Sequence, residues 1–244
     1  LPASPRAGET GGVSLRRLSR TLLAALIGYA LPPRCPGCGT VVLGDHLFCA
    51  ACWRLLDFVP EDCAADLLAS AGARLDSARA LLFYAGAART VVLRLKQGRP
   101  ALARTMARLM RGLLQDCPPD ALLVAVPLHR ARLWRRGYNQ ALLLARALAR
   151  GRPHACPPDL LVRRRATPLL RGLGRAARRA AVAEAFVVPP HRRPMLAGRA
   201  VVLIDDVVTS GATAGACAAA LRAAGAQAVH LRCWARTPPP GASA

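Results

Sequence analysis

The chain has 244 residues, room for one α/β domain and a small appended module but not for two full domains. It carries 35 lysines and arginines against 13 aspartates and glutamates, a formal net charge of +22, and 53% of its residues are hydrophobic. That apolar content excludes a wholly disordered chain, and the charge favours phosphate-bearing partners of any kind. Lys96 is the only lysine among the basic residues, and alanine is abundant. This is the signature of a GC-rich coding background, so part of the charge is compositional rather than functional.

Taken in chain order, residues 1–14 read as a flexible leader. Leu15, Leu18, Leu22, Leu26 and Tyr29 then recur at helical spacing and predict an amphipathic helix packed on the module that follows. The apolar stretch 21–31, behind Arg16, Arg17 and Arg20, has the outline of a secretory signal. It is only eleven residues long, however, and runs into Pro32-Pro33-Arg34-Cys35 with no small-residue cleavage site that spares the next motif. No membrane segment is expected.

Cys35-Pro36-Gly37-Cys38 and Cys49-Ala50-Ala51-Cys52 form a C-x2-C pair of pairs separated by ten residues. Four thiolates at that spacing suit one tetrahedral Zn2+, and Gly37 and Gly39 permit the tight turn that aims two sulfurs at one ion. A redox pair is the rival reading. The other five cysteines, Cys63, Cys117, Cys156, Cys217 and Cys233, are scattered and make an odd total, which fits buried thiols in a reducing cytoplasm better than a disulfide framework. His46, in the intervening loop, is read as a loop residue rather than a ligand. Metal binding would contribute much of the folding free energy of so small a segment.

Further along, 81–84 predicts a strand, 87–97 and 101–114 predict helices parted by Gly98 and Pro100, and 122–126 predicts a buried strand. That strand ends in Pro127-Leu128-His129, after which Arg130, Arg132, Arg135, Arg136, Gly137, Tyr138, Asn139 and Gln140 lead into a helix over 141–150. Guanidinium forks match phosphate oxygens in pairs, so Arg135, Arg136, Asn139 and Gln140 are candidate pyrophosphate contacts; an ordinary solvated basic loop is the alternative. Between Arg163 and Arg179 there are seven arginines and no acidic residue, including Arg178, a fifth candidate. Such a segment reads as a mobile lid or a strip for a nucleic-acid backbone. Its Gly172-x-Gly174-x-x-Ala177 pattern follows no strand, which rejects a dinucleotide fingerprint, and the absence of a G-x4-G-K-[ST] motif excludes a nucleotide-hydrolysing motor.

The most informative run is 201–213. Val201 to Ile204 predict a buried parallel strand, and the small-residue stretch from Gly211, closed near Leu221 and Gly225, predicts a helix. Between them stand Asp205, Asp206, Val207, Val208, Thr209 and Ser210. A strand, loop and helix in this order deliver carboxylates to the carboxyl end of a sheet, where open α/β folds bind ligands. The unpaired amides of the first helical turn, with hydroxyls from Thr209, Ser210 and Thr213 and no bulk at Gly211 and Ala212, suit a phosphate. An acidic strand end with a capped helix is the plain alternative.

Residues 201–213 also resemble the PRPP-binding motif of type I phosphoribosyltransferases. The resemblance implies that Asp205 and Asp206 contact ribose hydroxyls while 207–213 wrap the 5′-phosphate. The wider set resembles the ComF family of competence-associated proteins: Pro32 to Cys38 with Cys49 and Cys52, Leu95-Lys96-Gln97-Gly98, Val126-Pro127-Leu128, Arg136 to Ala141, Arg165, Thr167-Pro168, Arg178, Ala185-Phe186 and 202–213. The order of these motifs covers roughly residues 15–236. The resemblance implies an α/β, type I phosphoribosyltransferase-like fold, a Rossmann-like parallel sheet flanked by helices, behind a small N-terminal zinc-ribbon module.

The implied partition is residues 15–60 for the helix and the four-cysteine ribbon, 61–236 for the transferase-like domain and 237–244 for a disordered tail. It further implies structural Zn2+, Mg2+ with PRPP or another phosphorylated ribose, and a cytoplasmic protein that transfers phosphoribosyl to a base or amine. The alternative is a non-catalytic protein of DNA uptake that binds single-stranded DNA and a competence helicase. Two positions depart from the family pattern: Leu170 and Ala181 stand where a Gln and an Asn are usual, replacing polar groups with apolar ones.

Overall fold

A computed structural model describes residues 32–71, 74–164 and 185–238. The helix expected over 15–29 and most of the lid-like basic segment lie outside the described residues. The core is a four-stranded parallel sheet in the order β1 (Ser77–Phe83), β6 (Ala228–Arg236), β5 (Ala200–Val208) and β2 (Leu122–Ala125). Ser77 pairs with His230, Val202 with His230, and Leu122 with Val201, so β6 and β5 are central. Strands buried on both faces read as continuous apolar runs, and Val201 to Ile204 are fully buried.

Helices flank this sheet: α3 (Gly86–Lys96), α4 (Leu102–Met110), α6 (Gln140–Ala149) and α7 (Ala212–Ala223). α6 lies on β2 and β5 and against α4, while α7 packs on β5 and β6. The shorter helices are α1 (Ala50–Arg54), α2 (Ala65–Ser70) and α5 (Arg130–Arg136). Val162–Arg163 (β3) and Phe186–Val187 (β4) form a separate antiparallel pair. Among the described residues no helix is long and apolar enough to cross a membrane.

Four local expectations need correction. The strand expected over 81–84 begins at Ser77, because Ser77 to Ala80 find register partners in His230 to Cys233 of β6. The strand expected over 201–204 runs on to Val208, because Asp205, Val207 and Val208 find register partners in Cys233, Ala235 and Arg236 of β6. The stretch 130–136, expected as a loop, is the helix α5, held by His129 at its start and by left-handed Gly137 at its end. The helix expected over 101–114 is α-helical only to Met110 and tightens into a 3-10 turn over Arg111–Leu114.

The sequence pattern does not predict β6. His230, Arg232 and Arg236 interrupt its apolar run, yet Arg232 is fully buried. Its guanidinium donates to both Asp116 oxygens at 3.0 and 2.9 Å and to the Leu113 carbonyl at 2.5 Å. Burial pushes the Asp116 carboxyl up, but the charge and hydrogen bonds of Arg232 outweigh that and hold it below its ordinary range. A buried cation is tolerated because it is paired and hydrogen-bonded.

Candidate functional site

β5 outruns its neighbour. The last register pair with β2 is Ala125 with Ile204, so residues 205–208 overhang the end of β2 and are paired along β6 alone. This leaves a notch at the carboxyl end of the sheet, bordered by the loop after β2 and the loop after β5. In the overhang the Asp206 N–H donates to Asp205 Oδ1 at 2.8 Å and the Val207 N–H to Asp206 Oδ1 at 2.9 Å. Burial and then the neighbouring Asp206 carboxylate push Asp205 well above the ordinary carboxylate range. The second oxygen of Asp206 lies 2.8 Å from Lys96 Nζ.

Beyond the strand, Thr209 is exposed and Ser210 and Thr213 are half-buried; none of these hydroxyls has a hydrogen-bond partner among the described residues. Gly211 takes a left-handed conformation at φ 70° and begins α7 with no side-chain cap. Only glycine adopts that geometry without steric cost, and the missing cap leaves the first amides of a twelve-residue helix open to an anion.

Across the notch, the loop after β2 is spent differently. Asn139 Nδ2 donates to the Val126 carbonyl at 3.0 Å and its Oδ1 accepts the Ala141 N–H at 3.0 Å, so its carboxamide ties the strand end to the start of α6. Gln140 is buried, and its Nε2 has no partner among the described residues. The Tyr138 hydroxyl donates to the Leu95 carbonyl and accepts the Gly98 N–H at 3.0 Å, closing on both sides of the turn that carries Lys96. Arg135 is exposed and Arg136 half-buried at the end of α5. Arg178, Leu170 and Ala181 lie outside the described residues.

The second centre is the ribbon. One ligand atom from each of Cys35, Cys38, Cys49 and Cys52 falls within 4.8 Å of the others, and Cys38 Sγ and Cys49 Sγ are 3.6 Å apart. The Cys49 N–H points at Cys35 Sγ at 3.3 Å and the Cys52 N–H at Cys49 Sγ at 3.5 Å, the amide donors that stabilise thiolates. A Cβ on Gly37 would sit 2.7 Å from Cys52 Sγ, so only glycine fits against the cluster. Hydrogen bonds from Thr40 draw Cys38 down to about 6, whereas burial and the neighbouring sulfurs push Cys52 up to about 12. Four convergent sulfurs with amide donors behind them fit a structural Zn2+. The ribbon is anchored rather than loose: His46 Nδ1 meets Thr105 Oγ1 of α4 at 2.8 Å, and Arg94 of α3 donates to the Pro36 carbonyl at 3.1 Å.

Among known protein families, the double zinc ribbon domain matches residues 26–67. The DNA utilization protein YhgH of Escherichia coli (strain K12) is 31% identical over 209 residues, covering 83% of this chain and 84% of that protein. The chain belongs to the ComF family. Competence protein F of Haemophilus influenzae is 33% identical over 141 residues, which are 52% of this chain and 58% of that one.

Solved structures with a similar trace include an allosteric regulatory enzyme of purine biosynthesis, at 19% identity, TM-score 0.37, covering 54% of this chain and 26% of that one. Another is the orotate phosphoribosyltransferase of Mycobacterium tuberculosis, at 18% identity, TM-score 0.34, covering 58% and 64%. Within the matched ribbon this ComF chain has five cysteines, enough for one four-thiolate centre and not for two.

Two residues at the candidate site, Lys96 and Tyr138, are not singled out as site residues by sequence reasoning. Lys96 stands in the sequence as the one lysine of an arginine-rich chain and as part of a family motif, and Tyr138 as part of another, and neither carries a role there. Of the remaining cysteines, Cys117, Cys217 and Cys233 are buried and Cys63 and Cys156 half-buried, all of them free thiols.

Proposed function

We propose that the notch binds PRPP, or another ribose 5-phosphate, and transfers its phosphoribosyl group to a base or amine. The observation that carries this reading is the pairing of an uncapped helix start at Gly211 with two carboxylates on the overhanging strand end. Amides 212–214 and the hydroxyls of Thr209, Ser210 and Thr213 hold the 5′-phosphate, and Asp205 and Asp206 hold the ribose hydroxyls. Lys96 fixes the Asp206 carboxylate by charge, so that one of its oxygens is already oriented before ligand arrives.

In the transfer, the lone pair of the acceptor nitrogen forms the new bond to C1 as the C1–oxygen bond breaks and pyrophosphate leaves with its electron pair. The carboxylates below the ring favour the positive charge that develops at C1. Arg135, Arg136 and Arg178 take up the charge of departing pyrophosphate, and Gln140 has a donor to spare. The hard carboxylate oxygens suit Mg2+, but Asp206 already shares one with Lys96, so the ion fits best as a partner of the pyrophosphate. When bound it would neutralise those oxygens and improve the leaving group.

Calorimetric titration of PRPP with Mg2+ into the protein and into Asp205→Asn/Asp206→Asn tests this reading. Binding to the first and not the second supports it; no binding to either means that the fold is kept as a scaffold.

A second reading is a non-catalytic protein of DNA uptake that binds single-stranded DNA and a partner helicase. It is favoured by the net charge, by α5 with its four arginines and an exposed tryptophan, and by the names of the relatives.

A further inference from the structure

We propose that α5 is a stacking site for single-stranded nucleic acid, in which one base lies on the Trp134 indole and the neighbouring guanidinium groups take the flanking phosphates. This rests on the DNA reading above and gives it a location. Trp134 is 86% exposed, and no residue of α5 is buried. At that exposure the indole buries almost nothing against the described residues, so its ring face is open to a ligand.

Arg130 stands one turn before Trp134 on the same helix face, Arg132 lies between them in sequence, and Arg135 and Arg136 follow directly. None of these four guanidinium groups forms an ion pair among the described residues, and no carboxylate occurs in the sequence between Asp120 and Asp159. Positive charge is crowded here: burial and then the nearby Arg132 hold Arg163 below its ordinary value. A cleft of about 370 Å³ opens beside the helix, walled by Leu133, Tyr138, Leu142, Leu143 and Val162, with Arg146 and Arg163 also lining it. It offers a neighbouring base an apolar shelter.

The other two tryptophans and the neighbouring Tyr138 do not make such a site. Trp234 is fully buried and donates to the Ala88 carbonyl at 3.1 Å. Tyr138 is occupied by the Lys96 turn. Trp53 is 47% exposed, but its ring packs against Phe48 and Phe58 at 6.5 and 5.9 Å, and the exposed carboxylates of Asp57 and Glu61 follow it along the chain. Around Trp53 the charge is mixed, with Arg54 beside Asp57 and with Glu61 paired to Arg79, whereas around Trp134 it is arginine alone. Single strands are specified because a base needs a free face to stack on an indole, which a paired base inside a duplex does not offer.

The test uses the full chain and a short oligothymidylate, followed by anisotropy and tryptophan fluorescence over a salt series. Trp134→Ala is expected to weaken binding about tenfold at every salt concentration with an unchanged salt slope, and Trp134→Phe to restore most of it. Arg130→Ala/Arg132→Ala/Arg135→Ala is expected to flatten the log–log salt slope by about two units, since three phosphate neutralisations are lost at about 0.7 each. The fluorescence quench on binding is expected to vanish in Trp134→Phe, where Trp53 and Trp234 remain. Thermal melts are expected to be unchanged in all variants, so that a loss of affinity is a loss of contact rather than of fold.

Equal affinity of the wild type and Trp134→Ala for oligothymidylate overturns the stacking site and leaves the DNA reading standing. No oligothymidylate binding by the wild type at low salt overturns both. Trp134-dependent binding of polyglutamate in place of oligothymidylate overturns the proposal in favour of a protein partner, and equal, Trp134-dependent binding of a duplex overturns its single-strand character.

Discussion

β2 and β5 are neighbours that end at the same edge of the sheet, and each is followed by a polar loop and a helix. After β5 the helix start is bare: Gly211 is left-handed, no side chain caps α7, and three hydroxyls stand without partners among the described residues. After β2 both helix starts are closed, with His129 Nδ1 accepting the Ala131 N–H at 3.3 Å and Asn139 Oδ1 the Ala141 N–H at 3.0 Å. Glycine in place of a side-chain cap costs only about a few tenths of a kcal/mol, so this start keeps its amides free for a ligand with little loss of stability. The difference separates two uses of one topological position. One loop leaves its backbone open to a ligand, and the other locks its backbone and presents long cationic side chains instead.

The largest effect that sharpens this contrast belongs to the carboxylates. Asp205→Asn/Asp206→Asn is expected to lower PRPP affinity more than about 100-fold, since two charge-assisted hydrogen bonds are each worth about 1.5–3 kcal/mol. Its melting temperature is expected to hold or rise, because neutral amides relieve the burial cost and then the mutual repulsion that hold Asp205 above its ordinary range, which offsets the loss of the Lys96 pair. A fall in melting temperature with affinity intact would make the β5 loop a structural element and dissolve the contrast.

Next comes Lys96→Met, which strips the cation from a largely buried carboxylate. A loss of about 1–3 kcal/mol in denaturant unfolding is expected. The same substitution made on an Asp206→Asn background is expected to cost much less, which isolates the pair.

Asn139→Ala tests the other side. It removes a helix cap and a tie to the Val126 carbonyl, so a stability loss of about 1–2 kcal/mol is expected, with PRPP affinity within about twofold of wild type. Collapse of binding with the fold intact would place Asn139 on the ligand and show that the two loops are not divided in this way.

How much of this is legible in the sequence depends on how local each cause is. The ribbon is legible because four cysteines at fixed spacing declare one ion, and the β5 loop because an apolar run, two aspartates and a small polar turn stand side by side. β6 is not, because the partner that makes Arg232 tolerable in a central strand is Asp116, far away in the chain. The length of β5 is hidden for the same reason: only the unexpected β6 carries it through Asp205 to Val208. α5 buries nothing, so it has no apolar period to read; its caps at His129 and Gly137 are the available signal. Asn139 looks like a phosphate contact because the sequence shows its type and neighbours, while its engagement with Val126 and Ala141 depends on where the backbone turns.

The smallest effect discriminates most finely. Arg135 is exposed and Arg136 only half-buried, and exposed charge pairs are worth at most about 1 kcal/mol. Arg135→Ala/Arg136→Ala is therefore expected to weaken PRPP binding only about threefold to tenfold at low salt, and less as salt rises. Affinity for ribose 5-phosphate, which lacks the pyrophosphate, is expected to stay at its wild-type value, because its one phosphate belongs to the bare start of α7. The ratio of the two affinities is then the direct readout of the division between the loops. Equal weakening of both ligands would mean that the arginines act through the general field of a chain with net charge +22 rather than through a pyrophosphate subsite. In that event the loop after β2 would serve PRPP only by bracing the Lys96 turn through Tyr138, and its arginines would be left to α5 and the nucleic-acid site.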